Sequence, residues 1–381
     1  VITYSGLSLM HYLAIFFSSF LITYLFIYRK IRNKNLFITN FQKFFNENTN
    51  INLIGYILIA ITLIFSILHI ISLNQIPIIS AFQSHNSDTI SIIRNNITEN
   101  KHFLWNYGTS FVIKALFPFF TLFLYIKRKK FLFTIFLAFG LAYTISLIAK
   151  SPVVTIVFPL LVYTLIKKRF LHFSLIAVIL SVAIAFIVLT TNPSLRGIKD
   201  EATINLTKTE QVTSSRNNPV IAGVQGILKR TIFTPGEVVS IWFDMIPSKR
   251  PFLYGQGYRF IAPLKNEKFI NYSTVLYADK YPENIKKGIN GSLNSASFME
   301  DYSNFGIWGL ILSGVILGIL FSLLQHIFSG KGAISISINF YPILLLSSTS
   351  LTTLLFSGGW GLIIILYLLF EKSMISSINQ A

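Results

Sequence analysis

The chain is 381 residues long, 53% hydrophobic and only 12% charged, with a mean hydropathy of +0.63. A soluble protein carries about 25% charged residues, and a chain of this size cannot hide half of itself from water, so the solvent for most of it is lipid. The formal net charge of +18 does not indicate nucleic acid, because the cations cluster beside apolar runs, where the positive-inside bias and anionic lipid place them; with no cysteine, disulfides, thiolate nucleophiles and cysteine metal sites are excluded.

A helix needs roughly 20 apolar residues to cross about 30 Å of hydrocarbon. From the N-terminus, the runs 4–28, 51–73, 108–126, 131–149, 171–190, 305–328 and 334–356 meet that length. Two shorter runs, 152–166 and 358–370, are bounded by charge or turn residues and are predicted as spans too. The sequence Ser357-Gly358-Gly359 predicts a tight turn, so 334–370 also reads as one span plus a re-entrant piece. The first run has no basic leader and is too long for a cleavable signal peptide.

The connecting segments set the orientation. Arg29, Lys30, Arg32, Lys34 and Lys43 follow the first span, Lys127 to Lys130 follow the third, and Lys167 to Arg169 follow the fifth. Each basic loop is short and predicted to be cytoplasmic, so 74–107, the turn near 150 and 191–304 face outward. Lys372 and the C-terminus then lie inside and residue 1 outside. An outside start without a signal peptide predicts at least one further span upstream, about ten in all. The organisation is six spans over 1–190, a large outer cap over 191–304, and three spans with a short tail over 305–381.

The 114-residue cap mixes fourteen Lys/Arg with ten Asp/Glu, so it is predicted to be ordered. Its stretch 220–233 has helical apolar spacing with a basic end and suits the membrane interface. No repeat of the transporter type stands out.

Lipid makes intramembrane charge costly, so Lys114 is either a snorkelling anchor or an anion contact. Lys150, before Ser151 and Pro152, is an anchor or a phosphate contact at a helix start. The cap carries Arg196, Arg216, Arg230, Arg250 and Arg259; guanidinium forks suit diphosphate. Gly255 and Gly257, in FLYGQGYRF, allow a tight turn and close backbone approach to a ligand. Glu300 and Asp301 sit before an uncharged run containing Gly306, Gly309, Gly314 and Gly318. They either complement a helix dipole, with Ser303 or Asn304 as cap, or supply a partly desolvated general base. No HExxH, DxD or P-loop occurs, which argues against a catalytic metal and against cytoplasmic nucleotide chemistry.

Three stretches, LNQIPIIS (73–80), PFLYGQGYRFIAP (251–263) and EDYSNFGIWG (300–309), together with the many spans and the outer cap, resemble the Wzy family of bacterial O-antigen and capsule repeat-unit polymerases. The resemblance covers most of 51–328. It implies an all-α, multi-pass, GT-C-like protein of the bacterial inner membrane. The implied reaction is glycosyl transfer on the outer leaflet, from one isoprenoid-diphosphate-linked glycan to another, with no cofactor. It also implies a flippase and a chain-length regulator as partners. Arg196, Arg259 and Glu300 become the expected catalytic residues, and Arg230, Lys114, Lys150, Gly255 and Gly257 the expected diphosphate or substrate contacts. Relatives often carry an outer-loop histidine, which 191–304 lacks; His85 or His102 would have to stand in. The alternatives are a lipid-linked glycan ligase of the same superfamily, a flippase or other transporter, and a scaffold or length regulator.

Overall fold

The computed structural model describes residues 4–32, 51–73, 75–84, 89–90, 93, 103–192, 234–286 and 291–379. These residues are overwhelmingly helical and contain no strand. In chain order the helices are α1 Tyr4–Ile31, α2 Ile51–Ile71, α3 Pro77–Gln83, α4 Phe103–Ile126, α5 Lys130–Ser146, α6 Lys150–Ile166 and α7 Phe170–Thr191. They continue as α8 Thr234–Met245, α9 Tyr272–Lys280, α10 Pro282–Lys286, α11 Ser297–Phe305, α12 Ile307–Ile327, α13 Gly332–Leu345, α14 Leu351–Leu355 and α15 Trp360–Asn379.

Six of them, α1, α2, α4, α7, α12 and α15, are long and apolar enough to cross a membrane. The apolar helices α5, α6 and α13 are shorter, at 17, 17 and 14 residues. On α7, Leu171, Leu175, Val178, Val182, Phe186 and Leu189 recur at helical spacing and are all exposed, by 49% or more. Such a stripe is stable only against lipid. Several buried hydroxyls inside these helices bond the carbonyl one turn back, as Ser66 does to Thr62 (2.8 Å), Thr144 to Gly140 (2.9 Å) and Ser322 to Gly318 (2.7 Å). A medium without water requires that satisfaction.

The predicted span 334–356 is not one helix. α13 ends at Leu345, and Leu346, Ser347 and Ser348 tighten into bonds three residues back. Ser350 then starts α14, its Oγ facing the Thr353 N–H. The hydroxyls of Ser347 to Ser350 offer the backbone local alternatives to a helix. The expected turn at 357–359 is present, with Gly359 at φ +78°.

Two compact units result. One gathers α1, α8 to α12 and residues 343–354; the other gathers α2 to α7 with residues 330–342 and 355–379. The first helix therefore belongs with the cap and α12, across nearly the whole chain. In the first unit α1 packs along α12 because Gly314 and Gly318 bring the two backbones together: a Cβ at Gly314 would stand 2.6 Å from the Phe16 carbonyl, and one at Gly318 would stand 2.8 Å from that of Phe20. Small residues one turn apart permit this approach. Ser322 adds a bond to the Tyr24 carbonyl at 3.0 Å.

In the second unit Phe119, Phe120 and Phe123 of α4 surround Phe370 of α15, and Gly55 of α2 makes room for that ring. Trp360 donates to Asn339 at 2.9 Å, and the buried Glu371 pairs with Lys331.

Candidate functional site

The acids flagged in the sequence lie on α11, a helix of nine residues separate from α12. Gly306 divides the two, at φ +61° and ψ −137°, a conformation that glycine alone adopts at little cost. A Cβ at Gly309 would collide with the Asp301 carbonyl, so α12 begins folded tightly against α11. The expectation that Ser303 or Asn304 caps the span is corrected: both lie within α11 and bond back to the Glu300 carbonyl, at 2.7 and 2.8 Å. Glu300 occupies the first turn of α11, where an acid complements that helix's dipole.

Asn304 organises the loop that carries the two glycines. Its Oδ1 accepts from the backbone N–H of Gly255 (3.1 Å) and of Gly257 (3.0 Å). The Leu253 N–H bonds the Ser303 carbonyl and the Tyr254 N–H bonds that of Asn304, both at 2.9 Å. A Cβ on Gly257 would press into the Asn304 amide, and Gly255 sits at φ +102°. The glycines do permit a close approach, but its object is Asn304: both N–H groups are already spent on the fold.

That clamp brings Tyr258 to the acids, with Arg259 next to it on the same loop. The Tyr258 hydroxyl donates to Asp301, which also accepts from Ser297 at 3.3 Å. Burial raises the proton affinity of Asp301, and the hydroxyls of Tyr258, Ser313 and Ser297 oppose the rise. Burial, followed by the Asp301 charge beside it, pushes the Tyr258 phenol up. Glu300 accepts from Ser295 at 2.7 Å. Its proton affinity is raised chiefly by burial; the Ser295 hydroxyl opposes the rise, Asp301 adds to it and the Arg259 charge works against it. The Arg259 guanidinium is exposed and lies over the Phe269 ring, 5.1 Å from its centroid.

The result is a carboxylate held partly out of water, with the Ser295 hydroxyl as its donor and the Arg259 charge acting on it weakly. It can take a proton more readily than a free carboxylate, and the exposed Arg259 on the clamped loop can receive an anion. Of the residues flagged in the sequence, Gly255, Gly257, Arg259 and Glu300 come together here. Neither Asn304 as a clamp nor Tyr258 as the partner of Asp301 was legible in the sequence.

The remaining candidates lie elsewhere. Arg250 forms a bidentate pair with Asp279, at 2.9 and 2.6 Å, and so braces the cap. Lys114 and Lys150 belong to the second unit. Lys114 stands on a π-helical turn, Val112–Leu116. Pro118 lacks the N–H that would reach the Lys114 carbonyl, and the Phe117 N–H bonds Val112, five residues back. Gly359 fits against this turn, where an added Cβ would stand 3.3 Å from the Ala115 nitrogen. Lys150 is the exposed first residue of α6, next to Ser151, whose hydroxyl faces Tyr341 at 3.4 Å. The preceding Ile148 is fully buried at φ +59°, a left-handed conformation rare for a β-branched side chain. His69, also unheralded in the sequence, is buried with its Nδ1 2.8 Å from the Tyr143 hydroxyl. Arg196, Arg216, Arg230, His85, His102 and the stretch 220–233 lie outside the described residues.

Comparison of the chain with protein-family models, with curated proteins and with solved structures gave no match.

Proposed function

We propose that this multi-pass protein is a polysaccharide repeat-unit polymerase that joins isoprenoid-diphosphate-linked oligosaccharides at the outer leaflet of a bacterial inner membrane. The observation that carries the reading is Glu300: a buried carboxylate of raised proton affinity, on the short helix that leads through Gly306 into an apolar helix long enough to span. The acceptor hydroxyl attacks the anomeric carbon of the donor sugar, and Glu300 takes the hydroxyl proton. The bond from that carbon to the diphosphate oxygen breaks, and the lipid diphosphate leaves with the electron pair. Arg259 stabilises the negative charge on that leaving group, with Arg196 and Arg230 as further expected cations. Oriented cations aimed at developing charge are an effective form of such stabilisation. The reading takes α5, α6 and α13 as short spans beside the six long ones, in a GT-C-like arrangement with the cap outside.

Deleting the gene in its host and resolving the surface glycan by size tests the reading. A polymerase loss leaves single repeat units on the final carrier. A flippase loss leaves no external unit, and a ligase loss leaves long chains on the isoprenoid lipid. Glu300→Gln and Arg259→Ala, at normal protein level, are expected to reproduce the first pattern. A general base contributes about 10²- to 10⁴-fold, so long chains should disappear in Glu300→Gln. Full chain length in both variants rejects this site.

A further inference from the structure

We propose that the cap loop 254–269 is a membrane-inserted wedge: Tyr254, Phe260 and Leu264 enter the boundary between headgroups and acyl chains, and Arg259, Lys265 and Lys268 lie among anionic headgroups. The apolar side chains are displayed outward. Leu264 is 82% exposed, Tyr254 65% and Phe260 59%. Leu264 rides at the tip, on the single 3₁₀ turn Pro263–Lys265. Water does not favour such a display on an ordered loop.

The second observation fixes the height of the loop. Its backbone is bonded to Ser303 and Asn304, two to three residues before Gly306. Ile261 and Phe305 both approach Gly255, and Tyr258 stacks near Phe305 with ring centroids 6.2 Å apart. α12 starts at the next residue, Ile307, and its Trp308 is 77% exposed. An exposed tryptophan in the first turn of a span belongs at the interface. A loop tied to that turn lies at the same level, because it cannot leave the interface without breaking the Asn304 clamp.

Charge complementarity supplies the third observation. The segment holds three cations against one carboxylate, Glu267. Lys265 pairs with Glu267 at 3.1 Å and also bonds the Tyr254 carbonyl at 3.0 Å, which ties the tip to the loop's base. Arg259 and Lys268 remain exposed at its flanks. Aromatic and aliphatic side chains bordered by cations are the composition of an interfacial element, and anionic lipid rewards each cation close to the surface.

Because the chain has no cysteine, Leu264→Cys or Phe260→Cys creates a unique attachment point for a nitroxide. The 381-residue chain is reconstituted into vesicles of phosphatidylcholine and phosphatidylglycerol, with Glu283→Cys, on a 72% exposed side chain, as the aqueous reference. Collisions with oxygen, which concentrates in lipid, are compared with collisions with a water-soluble nickel chelate. Labels at 264 and 260 are expected to show a several-fold excess of oxygen collisions, and the label at 283 the reverse. A label at 264 that behaves like the one at 283 overturns the proposal. So does a label shielded from both reagents, since protein would then cover the tip. Two positions guard against one variant misfolding, and the readout needs no enzymatic activity.

Discussion

Asn304 shows how one amide can hold a site together. It accepts from two loop N–H groups and donates to the Glu300 carbonyl, and its side chain is fully buried. Asn304→Ala leaves both N–H groups without an acceptor, at about 1–3 kcal/mol for each that stays buried. The expected outcome is a clear drop in melting temperature in detergent and loss of long glycan chains. Asn304→Asp keeps the acceptor but places a charge beside two existing acids, and it is expected to melt early as well. The acids themselves should give a pH signature. Burial raises the proton affinity of Glu300, so it stays protonated to higher pH than a free carboxylate. Transfer should therefore rise with pH through a midpoint above the ordinary carboxylate value, and Glu300→Gln should abolish that limb. The sign for stability is opposite. A raised folded-state value means that the native protein holds the proton more tightly than the unfolded chain. Stability is then greatest below the unfolded value and falls as pH rises through the folded one. Asp301, raised for the same reason, contributes in the same direction, and Asp301→Asn is expected to flatten the pH dependence of melting.

The pairing of α1 with α12 rests on two glycines one turn apart. Leucine at either position would drive a branched side chain into the backbone of α1, where the space for even a Cβ is lacking. Overpacking of this kind costs about 1–3 kcal/mol, and Gly314→Leu and Gly318→Leu are expected to lower the melting temperature in detergent accordingly. Gly332→Ala is the control, since a Cβ there meets nothing within 4 Å; it should melt like the parent. The same helix pair positions the acids, because α11 leads directly into α12 through Gly306. A variant that loosens α1 should therefore reduce glycan chain length with Glu300 and Arg259 both intact.

For the whole molecule, orientation is the governing question. The turns after α4 and α6 are each three residues long and carry Lys127 to Lys129 and Lys167 to Arg169. Arg128 and Lys168 adopt positive φ, +57° and +53°, at positions where glycine would be easier. The proposed orientation puts both of these cations on the cytoplasmic side. Single cysteines at 128, 168 and 283, probed in intact cells with a membrane-impermeant thiol reagent, are expected to react only at 283. Reaction at 128 or 168 would invert the topology and remove the outer-leaflet reading with it.

The sequence alone determined that this is a helical membrane protein, because the length and apolarity of a run are local properties that lipid reads directly. It also showed the separate pieces of the site: the acid pair, the Gly-Gln-Gly turn and Arg259. What it could not show is how those pieces meet. Gly255 and Asn304 stand 49 residues apart in sequence, and no periodicity links a loop amide to a helix side chain at that distance. The break at 346–350 was not legible, since the sequence pointed to a turn only at 357–359; the local bonds of Ser347, Ser348 and Ser350 decided it. Likewise, glycines on α12 announced a close neighbour, but only the tertiary structure named α1, because complementarity between two helix surfaces belongs to the pair and not to either sequence segment.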